Sequence, residues 1–489
     1  MPAKTSNSPL LKDGTFEVKR VIELAFFDLT GERAKTKNTS NKQYHAELHL
    51  SKANSQAQIY TMWGPTGGHQ TEDWRHYNSL ADAEKDFNSI IKSKTKKGYR
   101  EIDVAQRAIG SQEAKSITKV VELKNLDDTG LPKSILHKET QRLVSELMGA
   151  TNQFVIKTLK CPLGQLTNKQ IDDGRAILNA AKFIVEKSKL SQYDIEKILE
   201  FTNDFFTLIP HNLGSGARGQ MVELKLDTIE KINQKEYDLD TLLDAKDLNI
   251  ELTGNDVDLK YKSLDTEISF IEHNDELFNW LNSMVHETRA SNHRHLGKIT
   301  LLNAWYINRN GERDKFNNTA ERIAKECGKQ VYPDKMETLV KTRPDGNPDL
   351  FKKANVIPLF HGTRTENLTG ILKKGLLIRP SGVVLCGSMY GNAVYKSSSS
   401  TKSINYTNIR SSYWAGGTDD RAFLFLSDCA LGNQLIATKA GRYTLKSISP
   451  HHSVWAKGSQ SGVINDEMML YRTDQHNIKY LLEFTCQKN

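Results

Sequence analysis

The sequence predicts an α+β multidomain protein: a small β-rich domain, then an all-α helical bundle, then a mixed α/β domain. Three observations predict it. A chain of 489 residues is too long for one ordinary hydrophobic core. The apolar pattern changes along the chain from strand-like alternation to helical spacing, and then to short apolar runs between turns. Charge is partitioned as well: 17 basic against 13 acidic residues over 1–110, 22 against 30 over 111–290, and 28 against 16 over 291–489. The formal total of +8 therefore hides a basic–acidic–basic order, as expected of distinct domains.

Each element follows from its local pattern. Tyr44, Ala46, Leu48 and Leu50 alternate with polar residues, and residues 58–63 form a second β-rich run ended by Gly64-Pro65, so two adjacent strands are expected. Ser79 is placed to cap a helix carrying Leu80, Ala83, Phe87, Ile90 and Ile91 on one face. A basic turn follows, with Lys92, Lys94, Lys96, Lys97 and Arg100. Residues 106–131 lack periodicity and read as a linker between a domain at 1–105 and one at 132–285. In the latter, Leu143, Val144 and Leu147 mark one helix. Thr167 and Gln170 form a capping box that opens a second through Ile171, Leu178, Ala181 and Val185. Ile195, Ile198, Leu199, Phe205 and Phe206 mark a third, stopped by Pro210. In the domain expected at 286–489, the apolar runs 299–302, 423–426 and 480–484 are separated by Gly/Ser turns, while 311–357 reads as a polar insertion.

Composition excludes several classes. With 38% hydrophobic and 26% charged residues the chain is neither collagenous nor wholly disordered. No stretch approaches the ~18 apolar residues of a membrane helix, and the first twenty residues lack the apolar core of a secretion signal. An intracellular protein without a membrane partner is expected. Cys161, Cys327, Cys386, Cys429 and Cys486 are odd in number and form no CxxC pair, so reduced, mostly buried thiols are expected, with neither a disulfide framework nor a metal site. His286-Glu287 begins like a HExxH helix, but Ala290 stands at the second ligand position. Gly214–Gly219 is a literal GxGxxG. It follows a helix and Pro210 rather than a strand, and so reads as an interhelical loop rather than a dinucleotide fingerprint.

Two groups of residues could carry chemistry. Lys94, Lys96, Lys97 and Arg100, near Trp63, Trp74 and Tyr77, suit a nucleic-acid backbone: the cations would neutralise phosphates and an aromatic would pack on a sugar or base. From composition alone a solvated helix end beside a buried tryptophan is the simpler reading. In the last domain, His361-Gly362-Thr363, Tyr395, Ser403, Tyr406 and Glu467 form a constellation in which each residue, taken singly, is common in a protein core.

Taken in order, these segments resemble the poly(ADP-ribose) polymerase family. Phe360-His361-Gly362-Thr363-Arg364, followed by Gly370-Ile371-Leu372 and Gly375-Leu376, resembles its first catalytic motif. Gly387-Ser388-Met389-Tyr390-Gly391-Asn392-Ala393-Val394-Tyr395, with Lys402-Ser403 and Tyr406, resembles the second. The third is Ser461-Gly462-Val463-Ile464-Asn465-Asp466-Glu467 with Tyr471 and the segment 479–482. Upstream, 162–167 and 206–211 resemble turns of the helical regulatory domain of the DNA-dependent members, and Trp63-Gly64 with 79–103 resembles a WGR domain.

The resemblance implies a WGR domain that binds broken or nicked DNA ends, a helical domain that restrains the site, and an ADP-ribosyltransferase domain that transfers ADP-ribose from NAD+ to protein acceptors, itself included. NAD+ is then a consumed substrate and no cofactor is implied. By the same resemblance the catalytic residues are His361, Tyr395, Glu467 and Lys402, while Gly362, Thr363, Ser403, Tyr406 and Arg379 bind NAD+. Action in the DNA damage response follows, in a nucleus for a eukaryote and in a nucleoid or cytoplasm for a bacterium. Departures are Pro65 in place of the WGR arginine, Leu377 in place of an arginine, Ala393 in place of a glycine, and a short segment between Trp455 and Gly462. The alternatives left open are an NAD+ glycohydrolase, a mono-ADP-ribosyltransferase and a catalytically silent DNA-binding scaffold.

Overall fold

The computed structural model describes residues 15–29, 40–65, 69–102, 134–159, 166–211, 221–248, 256–346, 348–378 and 389–487. They fall into two compact units, one formed by the chain up to 130 together with 152–254, the other by 131–151 together with 255–489.

The first unit begins with an antiparallel sheet of β1 (Phe16–Asp28), β2 (Ser40–Ser51), β3 (Ala57–Pro65), β4 (Thr71–Tyr77) and β5 (Arg100–Ile102), in the order β4-β3-β2-β1-β5. The two strands expected from alternation are the paired β2 and β3, with Tyr44 opposite Trp63. Between β4 and β5 runs α1 (Leu80–Lys96), where the Ser79 side chain accepts from the Asp82 amide as a cap should. Ala83 and Phe87 of α1 pack on Ile22, Leu24, Tyr44, Ala46, Leu48 and Ile59. Trp63 and Tyr77 lie partly buried against the same core, so their burial is structural in part.

On the opposite face of β2 the alternation brings up His45, Glu47 and His49, none more than 2% exposed. His45 Nδ1 lies 2.5 Å from Glu23 Oε1 and its Nε2 lies 2.7 Å from Glu47 Oε1. The second Glu47 oxygen is 2.6 Å from His49 Nε2. Facing carboxylates through both nitrogens, His45 stays an imidazolium. Burial opposes its charge, but Glu23 and Glu47 outweigh burial and raise its pKa to about 10.

Within this unit the helices are α3 (Asn168–Val185), α4 (Gln192–Leu208) and α5 (Ile229–Asp247), preceded by the closing turns of α2 (Lys138–Thr158). The expected Thr167/Gln170 capping box opens α3. Ser191 and Asp194 form another at α4, and Ile209 ends that helix before Pro210. Leu178, Ile198, Phe205, Leu239 and Leu242 are fully or almost fully buried. α4 also fastens to the sheet. The Phe27 and Phe206 rings meet at a tilt with centroids 5.1 Å apart, the Phe27 amide donates to Thr207 Oγ1, the Leu29 amide donates to Asn203 Oδ1, and Arg100 pairs with Asp204 at 2.8 Å.

The second unit is built on an antiparallel sheet in the order β6-β7-β14-β10-β8: β6 (Thr266–Ile271), β7 (Lys298–Arg309), β8 (Val356–Gly362), β10 (Arg421–Ala430) and β14 (His476–Gln487). Its three central strands contain the apolar runs found in the sequence. A smaller sheet, β11-β12-β13-β9, comprises β9 (Val394–Lys396), β11 (Gln434–Ala437), β12 (Ser453–Ala456) and β13 (Glu467–Leu470). A backbone bridge between Phe360 and Ser397, bonded in both directions, joins the two sheets. β6 and the short helix α6 (Val257–Ser263) lie ahead of the boundary expected at 286, and α7 (Glu276–Glu287), packed like β6 on β7, runs across it. Alternation over six residues in an acidic stretch is too short a signal to separate from helix.

The first turns of α2 belong to this unit. Glu483, on β14 and fully buried, accepts from Asn303 and Arg421 at 2.7 Å each and is clamped by Arg142 of α2. The supposed insertion is ordered. It forms α8 (Glu312–Cys327), α9 (Met336–Lys341) and α10 (Pro348–Ala354), and after β8 comes the short α11 (Leu368–Lys374). Buried Arg343 ties it to the sheet through Asp428 and lies 5.2 Å over the Trp280 ring. Cys429 is buried as expected, whereas Cys327 and Cys486 are only partly so. The expected linker 106–131, the Gly214–Gly219 segment and residues 162–165 lie outside the described residues.

The His45 cluster sets a pH dependence. A raised histidine pKa contributes stability that is full below the unfolded value near 6.5 and is lost as pH climbs toward about 10. The lowered Glu47 value contributes stability lost in acid. The melting temperature should therefore fall between pH 7 and about 10, and in His45→Gln that fall should shrink, as a pH series of thermal melts would show.

Candidate active site

Strand β8 ends in Phe360-His361-Gly362, and the one-and-a-half-turn helix α12 (Ser400–Ile404) runs against that end. A Cβ built on Gly362 would lie 1.8 Å from the Ser403 carbonyl oxygen and 3.2 Å from its Cα. Only glycine allows this approach. His361, Gly362 and Thr363 are thereby held beside Lys402, Ser403 and Tyr406, which α12 and its C-terminal turn carry. Ser399 caps the helix by accepting from the Lys402 amide.

The smaller sheet brings the rest. Tyr395 of β9 is opposite Met469 of β13, and Lys396 is opposite Met468, so Glu467 starts its strand level with Ser397. The Ser397 hydroxyl donates to the Asp466 carbonyl at 3.0 Å, which fixes this register. Lys402 Nζ then reaches Glu467 Oε1 at 2.7 Å, both side chains being little exposed. Burial works against the Lys402 ammonium, but the Glu467 charge and the hydrogen bonds to Glu467 and Tyr406 outweigh it and raise its pKa.

His361 Nδ1 donates to the Tyr395 carbonyl at 3.0 Å, which leaves Nε2 as an acceptor. Burial, and next the charge of Lys396, lower its pKa to about 4, so the ring is neutral at physiological pH. Lys396 is wholly buried behind it, donating to Ser427 Oγ at 2.7 Å, and burial brings its own pKa down to about 8. The Tyr395 hydroxyl accepts from the Tyr390 amide and donates to the Gly391 carbonyl, so its ring is locked, and burial raises its pKa. Thr363 Oγ1 accepts from Asn367.

The structure therefore brings His361, Gly362, Thr363, Tyr395, Lys402, Ser403, Tyr406 and Glu467 to the join between the two sheets. Arg379 lies outside the described residues. The pattern along the chain does not reveal His293. Its Nδ1 lies 3.0 Å from Thr401 Oγ1 and its Nε2 3.3 Å from Asn465 Nδ2, and burial, with His295 and Lys402 nearby, lowers its pKa to about 4. Asn465 is 172 residues away in sequence, so no local signal points to the contact.

In the first unit the basic residues separate. Lys96 and Lys97 are exposed at the end of α1, where cations also favour the helix dipole. Lys94 lies 3.9 Å over the Tyr44 ring, its pKa lowered by burial and by Lys97 and Lys42. Arg100 is engaged by Asp204, and Trp63 stacks on Tyr44.

The Gly362 contact yields a test. Gly362→Ala must push Ser403 away, at a cost of about 1–3 kcal/mol from overpacking, whereas Gly311→Ala, with nothing within 4 Å of the added carbon, meets no steric obstacle. Denaturant melts of the two variants against the parent should show a loss in Gly362→Ala larger than the backbone strain alone produces in Gly311→Ala, where φ is +67°.

Comparison with known proteins agrees in order and extent. The model of the poly(ADP-ribose) polymerase catalytic domain matches residues 275–486, that of the polymerase regulatory domain 134–265, and that of the WGR domain 27–106. The chain is 26% identical over 435 residues to poly [ADP-ribose] polymerase 1 of Caenorhabditis elegans, covering 83% of this chain and 40% of that protein. It is 24% identical over 446 residues to the Drosophila melanogaster poly [ADP-ribose] polymerase, covering 86% and 39%. With human poly [ADP-ribose] polymerase 2 it shares 22% over 505 residues, covering 94% and 79%. It thus spans about two fifths of the length of the worm and fly relatives. Three family domains in the family's order, with the catalytic model spanning the site residues just described, show that the chain belongs to the poly(ADP-ribose) polymerase family.

Proposed function

We propose that the protein is an NAD+-consuming ADP-ribosyltransferase that builds poly(ADP-ribose) on protein acceptors and responds to DNA breaks. The observation that carries the reading is the Lys402–Glu467 pair set beside a neutral His361 and a locked Tyr395 at the join of two sheets. NAD+ is the substrate, and no separate cofactor enters. Gly362 backbone groups and the Ser403 hydroxyl hold the carboxamide, and Tyr395 and Tyr406 flank the nicotinamide ring. The His361 Nε2 lone pair accepts from a ribose hydroxyl of NAD+. Thr363, next to Gly362, is assigned to the same site, with its Oγ1 accepting from Asn367, and Arg379 is assigned to the adenosine side.

In the reaction the bond from ribose C1″ to nicotinamide breaks, the electron pair leaves with nicotinamide, and an acceptor hydroxyl oxygen bonds to C1″ as its proton passes to the Glu467 carboxylate. The transition state carries oxocarbenium character, as in glycoside cleavage. The Glu467 carboxylate, held by Lys402, hydrogen-bonds the 2″-hydroxyl, stabilises the developing positive charge and polarises the incoming hydroxyl. With water as acceptor the same chemistry is hydrolysis. The short segment after Trp455 is tied down by Asp466, which accepts from Trp455 Nε1 at 2.9 Å and from the Gly458 amide at 2.8 Å.

For DNA, the proposal places phosphates at Lys94, Lys96 and Lys97, with Arg100 and Trp63 at the margin. Action in DNA repair, in a nucleus or a nucleoid, follows from this reading. No helix among the described residues is long and apolar enough to cross a membrane.

Labelled NAD+ with and without nicked or blunt DNA tests the reading. Label should appear on protein, extend to chains, rise with DNA and fall at least about a hundredfold in Glu467→Gln, the scale of a lost general base. Free ADP-ribose alone would replace the reading with a hydrolase, single units with a mono-transferase, and no turnover with a scaffold. KM for NAD+ should rise as pH falls toward about 4, where His361 becomes protonated and loses its acceptor. Replacing Lys94, Lys96 and Lys97 with alanine should flatten the salt dependence of DNA affinity, by roughly 0.9 in log–log slope for each phosphate that a lysine no longer neutralises.

A further inference from the structure

We infer that Trp414 is a positioning residue that holds the Tyr406 ring in place. The inference rests on the reading of Tyr406 as one wall of the nicotinamide site. The Tyr406 and Trp414 rings lie nearly parallel, 20° apart with centroids 6.2 Å from each other, and Tyr413 meets Trp414 edge-on at 4.7 Å. Tyr413 is 71% and Trp414 60% exposed. Rings left this exposed bury little surface on folding, and what they do contact is each other and Tyr406.

The segment that presents them is not loose. Asn405, 1% exposed, accepts at its backbone oxygen from the Trp414 and Ala415 amides, accepts at Oδ1 from the Tyr413 amide, and donates through Nδ2 to the Thr401 carbonyl of α12. His295 Nε2 lies 2.9 Å from the same Oδ1. Further along, the Gly417 amide donates to Ser412 Oγ, and a Cβ on Gly417 would lie 2.1 Å from the Asn408 carbonyl oxygen. Asn405 follows Ile404 directly, so the helix that carries Lys402 and Ser403 also anchors the aromatic segment. Tyr406 is held from one side by Lys402, which also holds Glu467. Trp414 supplies a second restraint, through ring contact.

The restraint acts on substrate fit and leaves the reacting carboxylate untouched. Trp414→Ala should raise KM for NAD+ roughly three- to tenfold, the range an aromatic pair is worth, with kcat within about twofold. Trp414→Phe should restore KM. Because the residue is largely exposed, the melting temperature of Trp414→Ala should match the parent's. A second readout uses protein labelled with 5-fluorotryptophan, whose six tryptophans give fluorine resonances. The one missing in Trp414→Phe should shift when nicotinamide is added to the parent.

A parent that turns over NAD+ while Trp414→Ala keeps its KM, or while the Trp414 resonance ignores nicotinamide, overturns this inference alone. So does a fall in kcat without a rise in KM. A parent that neither turns over NAD+ nor binds nicotinamide overturns the functional reading, and this inference with it.

Discussion

Everything in the candidate site depends on one close approach, that of the Gly362 backbone to the Ser403 carbonyl, at a distance where no side chain fits. The contact joins the end of β8 to α12, and so joins the first motif to the second. Once it forms, His361 reaches the Tyr395 carbonyl, Lys402 reaches Glu467, and the two sheets share the bridge at Phe360 and Ser397. A residue without a Cβ is therefore the condition for the geometry around it.

The second theme is how burial sets charge. Burial lowers the pKa of both His361 and its neighbour Lys396; it leaves His361 neutral, with the Lys396 charge adding to the effect, while Lys396 remains a cation at neutral pH. Lys402 shows the opposite balance, since its carboxylate partner outweighs burial. Elsewhere burial is met by saturation. Glu483 has Arg142, Arg421 and Asn303 as partners, and His45 lies between two carboxylates. Removing one member of such a set costs more than the set contributes, because the remaining charge is left in a dry place.

Local signals were legible wherever one element supplies them. The Ser79 cap, the Thr167/Gln170 box and the stop at Pro210 are short-range hydrogen-bond chemistry, and the helices begin and end there. The alternation at 44–50 and 58–63 marked the central pair of the first sheet. Its flanking strands β1 and β4 escaped, because residues 16–22 and 71–77 are half polar and read as strands only beside a neighbour. The ordered helices at 312–354 escaped for a similar reason. Their anchor is Arg343, buried against the sheet, which looks like surface charge in a linear sequence.

The sequence by itself determined the three-domain order, the caps and the identity of the motif residues, because these follow from short-range pattern and from three ordered segments in the last domain. Tertiary structure alone decided which of those residues meet, how burial and Lys396 keep His361 neutral, that Arg100 spends its charge on Asp204, and that His293, Asn405 and Trp414 border the site. The physical reason is distance along the chain. Contacts between residues tens to hundreds of positions apart leave no trace in local periodicity, and a pKa depends on burial and neighbours that exist only after the chain has closed.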